Sequence, residues 1–260
     1  MPGGPPHLPR RPLAVEGTLT IDVYSDIHVG AKGFLERRFL RDLKETLDAP
    51  HRYLVLNGDL FNAAMRDAKH GGIHEETMTL DEAIDWWEAK LKDHPEKILG
   101  IVGGNHDKRA WDKVGIDPVR QLAARLKVAD RYMQDGGFIS TEHGKNKKTG
   151  RTLIYSGFYS HGTGSWPNST NVQKITETYL ADYYAMGHTH TPMTIAGVWY
   201  DCLPNSDTVV ERPWIAGVGG SYLDHSGYAL ERRLRARPNG RLSFHLNGTE
   251  RDIVAEIPRL

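Results

Sequence analysis

The chain has 260 residues, with 33 Lys and Arg against 33 Asp and Glu, so its formal net charge is zero and no global field draws it to nucleic acid or an anionic membrane. A hydrophobic share of 39% with 25% charged residues is that of an ordinary globular protein. The single cysteine, Cys202, excludes an internal disulfide and thiolate metal sites, and no stretch is apolar enough over a bilayer's width to span one.

Residues 1–16 are rich in Pro and Gly and read as a flexible leader on a cytoplasmic protein, with one domain over 17–260. Leu19, Ile21 and Val23 alternate with polar residues as a strand and run into Ser25-Asp26-Ile27-His28. Leu35, Phe39, Leu43 and Leu47 then form a helical stripe. The apolar run Tyr53-Leu54-Val55-Leu56 ends at Asn57-Gly58-Asp59, and Leu80, Ile84, Trp87 and Leu91 mark a second helix. A strand around Ile98 to Val102 leads into Gly104-Asn105-His106-Asp107, and Asp117-Pro118 caps and opens a third helix through Val119, Leu122 and Leu126. This β-α-β-α-β-α order predicts a largely parallel sheet.

Past Gly136 the polar turn 145–150 separates two strand-like runs, and the second reaches Ser160-His161-Gly162. A short helix around Val172, Ile175 and Tyr179 precedes Tyr183-Tyr184-Ala185-Met186 and then Gly187-His188-Thr189-His190. The remainder reads as short strands of an antiparallel second sheet.

The five motifs are all oxygen and nitrogen donors placed at the carboxyl ends of strands, where ligands bind in open α/β sheets. Such a donor set suits a pair of divalent metals of the manganese, iron or zinc kind, which points to a two-metal hydrolase. Asp26 and His28, two apart on extended chain, would point the same way and grip one ion. His188 and His190 share that spacing and could each serve a different ion.

In their order, Asp-x-His, Gly-Asp, Gly-Asn-His-Asp, His-Gly and Gly-His-x-His resemble the calcineurin-like metallophosphoesterase superfamily over residues 20 to 190. The resemblance implies its four-layer α/β/β/α sandwich. It implies a first metal held by Asp26, His28, Asp59 and His190, and a second held by Asp59, Asn105, His161 and His188, with Asp59 bridging. Manganese is the expected metal, iron or zinc the alternatives. His106 would stand beside the phosphate as acid and transition-state stabiliser while a metal-bound hydroxide attacks in line.

Asn62 stands where protein phosphatases of this superfamily carry the aspartate that orients the catalytic histidine, and Asp107 stands in place of their glutamate. Gly58-Asp59-Leu60-Phe61 and Gly-Asn-His-Asp are more similar to DNA-repair nuclease subunits and phage-encoded metallophosphoesterases. The expected substrate is therefore a phosphodiester, such as DNA, RNA or a cyclic nucleotide. The alternatives are a small-molecule phosphomonoesterase, a nucleotide-type pyrophosphohydrolase and a non-catalytic scaffold subunit.

Asn62 and Arg109 are candidate substrate contacts; the competing readings are a loop-capping amide and a surface ion pair. His70 and His74 read as exposed polar residues and Trp166 as a packed aromatic. Arg233, Arg235 and Arg237 read as a charged edge strand, with a nucleic-acid track as the alternative.

Overall fold

Apolar alternation in the central strands decides the layering of this fold, seen in a computed structural model that describes residues 6–64, 76–162, 168–202, 208–225 and 236–257. One six-stranded sheet runs β12 (Ile253–Glu256), β11 (Leu242–Leu246), β2 (Leu19–Tyr24), β3 (Arg52–Asn57), β4 (Ile98–Val102) and β5 (Tyr132–Met133). The other runs β1 (Arg11–Pro12), β6 (Gly137–Lys145), β7 (Thr152–Tyr159), β8 (Tyr183–Met186), β10 (Val209–Val218) and β9 (Met193–Cys202).

Successive strand residues point to opposite faces. Ile21, Val23, Val55, Leu99 and Val102 of the first sheet meet Ile139, Tyr155, Tyr159, Tyr183 and Ala185 of the second in a core between the sheets. Tyr24, Leu54, Leu56, Ile98 and Ile101 face outward onto α1 (Glu36–Asp48), α2 (Leu80–Leu91) and α4 (Pro118–Arg125), through Phe39, Leu43, Ile84, Trp87, Leu91, Val119 and Leu122. Phe158, Tyr184 and Met186 point the other way onto Val172 of α5 (Asn168–Thr178). The result is the expected α/β/β/α sandwich.

Strands β2, β3, β4 and β5 are mutually parallel, as the alternation of strand and helix requires, and only β11 and β12 add antiparallel pairs to that sheet. The predicted cap at Asp117 forms, accepting from the Arg120 amide, and Thr79 caps α2 by accepting from the Glu82 amide.

Three expectations are corrected. The leader does not stay free to residue 16: Leu8 is buried, and Arg11 and Pro12 pair in parallel with Thr141 and Glu142. Proline is compatible with an edge strand, so an extended segment with one buried leucine finds a berth there. The second sheet is mixed rather than antiparallel, because β8 lies parallel to both β7 and β10. A further helix, α3 (Asn105–Val114), had no legible apolar stripe: it buries only Asp107 and Ala110 and exposes Trp111 and Val114. Among the described residues, no helix is long and apolar enough to cross a membrane.

Candidate metal centre

All five motifs emerge at one edge of the sandwich. Asp26 and His28 follow β2, Asp59 follows β3, and Asn105 and His106 open α3 after β4. His161 follows β7, and His188 and His190 follow β8. Because β2, β3 and β4 are parallel, as are β7 and β8, their carboxyl ends deliver these loops side by side.

The backbone pays for that convergence with strain. Asp26, His28, Asp59, His188 and His190 hold positive φ of 54°, 53°, 51°, 71° and 52°. Left-handed backbone disfavours these side chains by about 1–3 kcal/mol each and persists where the surroundings over-determine it. Asp26 and His28 are thus not on extended chain, and their shared direction comes from two left-handed residues instead.

Ligand-capable atoms of Asp26, His28 and His190 lie within 4.8 Å of one another, as do those of Asp59, His161 and His188. A third such group joins His28, Asp59 and His106. Asp26 Oδ1 lies 3.0 Å from His190 Nε2 and 3.8 Å from His161 Nε2, while Asp59 Oδ2 lies 3.1 Å from His161 Nε2 and 3.8 Å from His28 Nε2. The spacing thus separates His188 from His190, as their sequence spacing allowed. Asn105 is exposed at the first position of α3.

The backbone orients the donors. His161 Nδ1 donates to the carbonyl of Asn57 at 3.0 Å, which turns Nε2 toward Asp59. The His188 amide donates to both oxygens of Asp26, at 3.1 and 3.0 Å, and the His106 amide donates to Asp59 Oδ1 at 2.8 Å. Glycine is required at 104, since a Cβ there would sit 2.1 Å from the Asp59 amide nitrogen.

The two buried carboxylates of the site are balanced by the histidines that face them. Burial disfavours the carboxylates of Asp26 and Asp59, yet the histidines around them hold both below the ordinary aspartate range. Burial likewise opposes a charge on His161, but Asp59 and Asp26 override it and push its pKa up to about 10. His190 is raised against burial by Asp26. Burial holds His28 well below its usual value and lowers His188, which keeps both rings neutral and able to coordinate. Both ring nitrogens of His28, and Nε2 of His161, are buried without a hydrogen-bond partner. Unpaired buried nitrogens facing two carboxylates fit divalent cations, which would take the place of protons there.

His106 and Arg109 stand at the rim of this cluster. His106 Nδ1 lies 3.1 Å from the Asn62 carbonyl, and Arg109 Nη2 lies 2.8 Å from Nε2. A carbonyl only accepts and a guanidinium only donates, so the ring is the neutral Nδ1–H tautomer. Burial lowers the His106 pKa, and Arg109 adds to that effect against the pull of Asp59.

Asn62 donates its side-chain nitrogen to Glu76, 2.9 Å away, a contact of the loop-capping kind. Arg109 is bonded to a ring at the centre rather than committed to a surface ion pair.

Two residues beside the centre were given no role by the sequence. Asp107 accepts from the amides of Gly104 at 2.8 Å and Phe61 at 3.0 Å, tying the loops after β3 and β4 together. Its carboxyl is raised to about 7 by burial and by Asp59. Glu76 has no motif around it. His70, His74, Trp166, Arg233 and Arg235 lie outside the described residues. Arg237 is exposed.

The profile described as calcineurin-like phosphoesterase matches residues 19–192. No curated protein matches the chain. Among solved structures, a conserved predicted phosphoesterase from Streptococcus pneumoniae is similar at 16% identity, covering 93% of this chain and 100% of that one, with a TM-score of 0.36. A metallophosphoesterase from Sphaerobacter thermophilus is similar at 11% identity, covering 93% and 88%, with a TM-score of 0.40. GAP50, titled the anchor in the inner membrane complex of Plasmodium, is similar at 14% identity, covering 93% and 84%, with a TM-score of 0.49.

Proposed function

This chain belongs to the calcineurin-like phosphoesterase family, and we propose that it hydrolyses phosphodiesters at a dinuclear metal centre. The observation that carries the proposal is the pair of donor groups, Asp26-His28-His190 and Asp59-His161-His188, set side by side with unpaired buried nitrogens. One ion would be held by Asp26, His28, His190 and Asp59, and the other by Asp59, His161, His188 and Asn105. The ligands are nitrogen and oxygen throughout, which admits manganese, iron and zinc, with manganese the first choice. Two such ions, when bound, supply positive charge to the phosphoryl oxygens and lower the pKa of an attacking water.

The chain's own residues do the rest. Asp59 and Asp26 fix the charge demand of the centre, His161 is aimed by the Asn57 carbonyl, and Asp26 is held by the His188 amide. Arg109 offers a guanidinium that a phosphate oxygen can claim. Drawing Arg109 onto substrate would free His106 Nε2 to take up a proton and pass it to the departing oxygen. Among the described residues, the guanidinium of Arg109 stands beside the histidine and suits the one negative charge of a diester. The substrate class favoured is nucleic acid or a cyclic nucleotide.

The test is manganese-dependent hydrolysis of bis(p-nitrophenyl) phosphate against p-nitrophenyl phosphate, with Asp59→Asn as control. Diester preference abolished in the control is expected. Monoester preference would overturn the diester assignment, and a protein that binds metal yet cleaves neither would point to pyrophosphate substrates or a binding role.

A further inference from the structure

We propose that Glu76 is the positioning residue for His106, acting on its Nδ1 through the Asn62 loop. The kinetic side of this inference rests on the phosphoesterase reading; its structural side does not. The sequence places Asn62 where an orienting carboxylate would stand, so the ring needs another anchor. That anchor is a backbone carbonyl, Asn62 O, at 3.1 Å from Nδ1.

A carbonyl is only as fixed as the loop that carries it, and Ala63, the next residue, holds a left-handed φ of 45°. Glu76 spans that strained residue. One carboxylate oxygen, Oε1, accepts from the Ala64 amide at 2.6 Å and from the Asn62 side chain at 2.9 Å, so bonds brace the Asn62 carbonyl from both sides. The Asn62 amide is tied separately to Val29 O at 3.1 Å.

Glu76 is itself held from behind. It forms an isolated antiparallel bridge with Ala31, and the Thr77 amide donates to Gly30 O at 2.8 Å. Gly30, at φ +97°, leaves room for the carboxylate, since a Cβ there would lie 2.7 Å from Glu76 Oε2. On the other side of the ring, Arg109 Nη2 lies 2.8 Å from His106 Nε2. One half-buried carboxylate thus braces the carbonyl that holds Nδ1.

The test reads the ring directly. Long-range proton–nitrogen correlation spectra of histidine-labelled, zinc-loaded protein report the His106 tautomer, assigned by its loss in His106→Ala. The wild type is expected to show the Nδ1–H form, Glu76→Ala a mixture of tautomers, and Glu76→Gln the wild-type pattern, since the amide oxygen can still accept both bonds. With a dinucleotide substrate, Glu76→Ala should lower kcat roughly tenfold or more at little-changed KM, and Glu76→Gln should recover most of the loss. In a His106→Ala background, Glu76→Ala should cost nothing further.

An unchanged tautomer in Glu76→Ala, or a kcat loss that persists undiminished without His106, would overturn the proposal. Asn62→Ala, which keeps the carbonyl but removes one bond to Glu76, should shift the tautomer in the same direction and covers the case in which Glu76→Ala does not fold. A tautomer shift in a protein that hydrolyses no phosphoester would uphold the positioning role and sink the hydrolase reading instead.

Discussion

Asn57 and His161 lock the two sheets together where the metal centre forms. The Asn57 carbonyl accepts from His161 Nδ1 at 3.0 Å, and the Asn57 side chain donates to Ser160 O at 3.1 Å. β3 of one sheet is thereby clamped to the end of β7 of the other, and His161 Nε2 is turned to within 3.1 Å of Asp59.

Asn57→Ala keeps the carbonyl but removes the clamp to Ser160. Outer-shell changes of this kind typically weaken metal binding about 10- to 100-fold. Zinc competition against a chromophoric chelator should show that loss at one site, with the other little changed. Equal binding at both sites in wild type and variant would mean that the clamp serves the fold alone.

Cation binding should also appear as stability, because the buried carboxylates and unpaired nitrogens are brought together only by folding. A metal at 100 times its Kd stabilises the native state by about 2.7 kcal/mol, provided the unfolded chain does not bind it. Manganese or zinc should therefore raise Tm, EDTA should reverse the rise, and Asp59→Asn should blunt it. A Tm indifferent to metal in the wild type would count against the centre.

The layering of the fold and the place of the centre were legible in the sequence for the same reason. Unbroken apolar runs such as Leu54-Val55-Leu56 and Tyr183-Tyr184-Ala185-Met186 mark strands buried on both faces, and the motifs follow those strands directly. Helix α3 was not legible, because it turns Trp111 and Val114 to solvent and buries Asp107, so its stripe carries no hydrophobic signal. The packed segment after residue 6 was hidden behind proline, with Leu8 buried and Leu13 and Val15 packed against the core. Glu76 was invisible for another reason: it reaches Asn62 and Ala64 from outside every motif, and only the folded chain brings them together.

Asp22 supplies a prediction away from the centre. On the helix-facing side of β2 its buried carboxylate accepts from Arg52 twice at 2.8 Å, from Arg241 at 3.0 Å, and from Thr46 and Ser243 at 2.6 Å each. Burial raises its pKa, but the bonds to Arg52 and the charge of Arg241 win and hold it below the ordinary 3.8. A depressed folded-state value means that the stabilisation is complete above the unfolded carboxylate's pKa and is lost as pH falls through the folded one. Asp22→Asn should cost about 3–5 kcal/mol near neutrality, because it leaves two guanidinium groups facing a neutral partner. Urea titrations should show that deficit shrinking below about pH 4, where the wild type loses its own charge. A deficit constant across that range would refute the linkage.

His106→Ala separates proton donation from electrostatic support. The ring nitrogens bond to Asn62 and Arg109, and the His106 backbone amide, which the substitution retains, is what holds Asp59. The variant should therefore keep its metal. General-acid assistance typically contributes about 10²- to 10⁴-fold, and it matters most when the departing oxygen is a poor leaving group. A p-nitrophenolate departs readily without a proton, whereas a sugar or alkyl alkoxide does not. Turnover of an alkyl or nucleoside diester should then fall by about 10² or more, while bis(p-nitrophenyl) phosphate falls far less. Arg109→Ala should instead raise KM for both, since it removes a phosphate partner whatever the leaving group. An equal fall on both substrates in His106→Ala would assign the ring a purely electrostatic part, and wild-type turnover of the alkyl diester would remove it from the chemistry altogether.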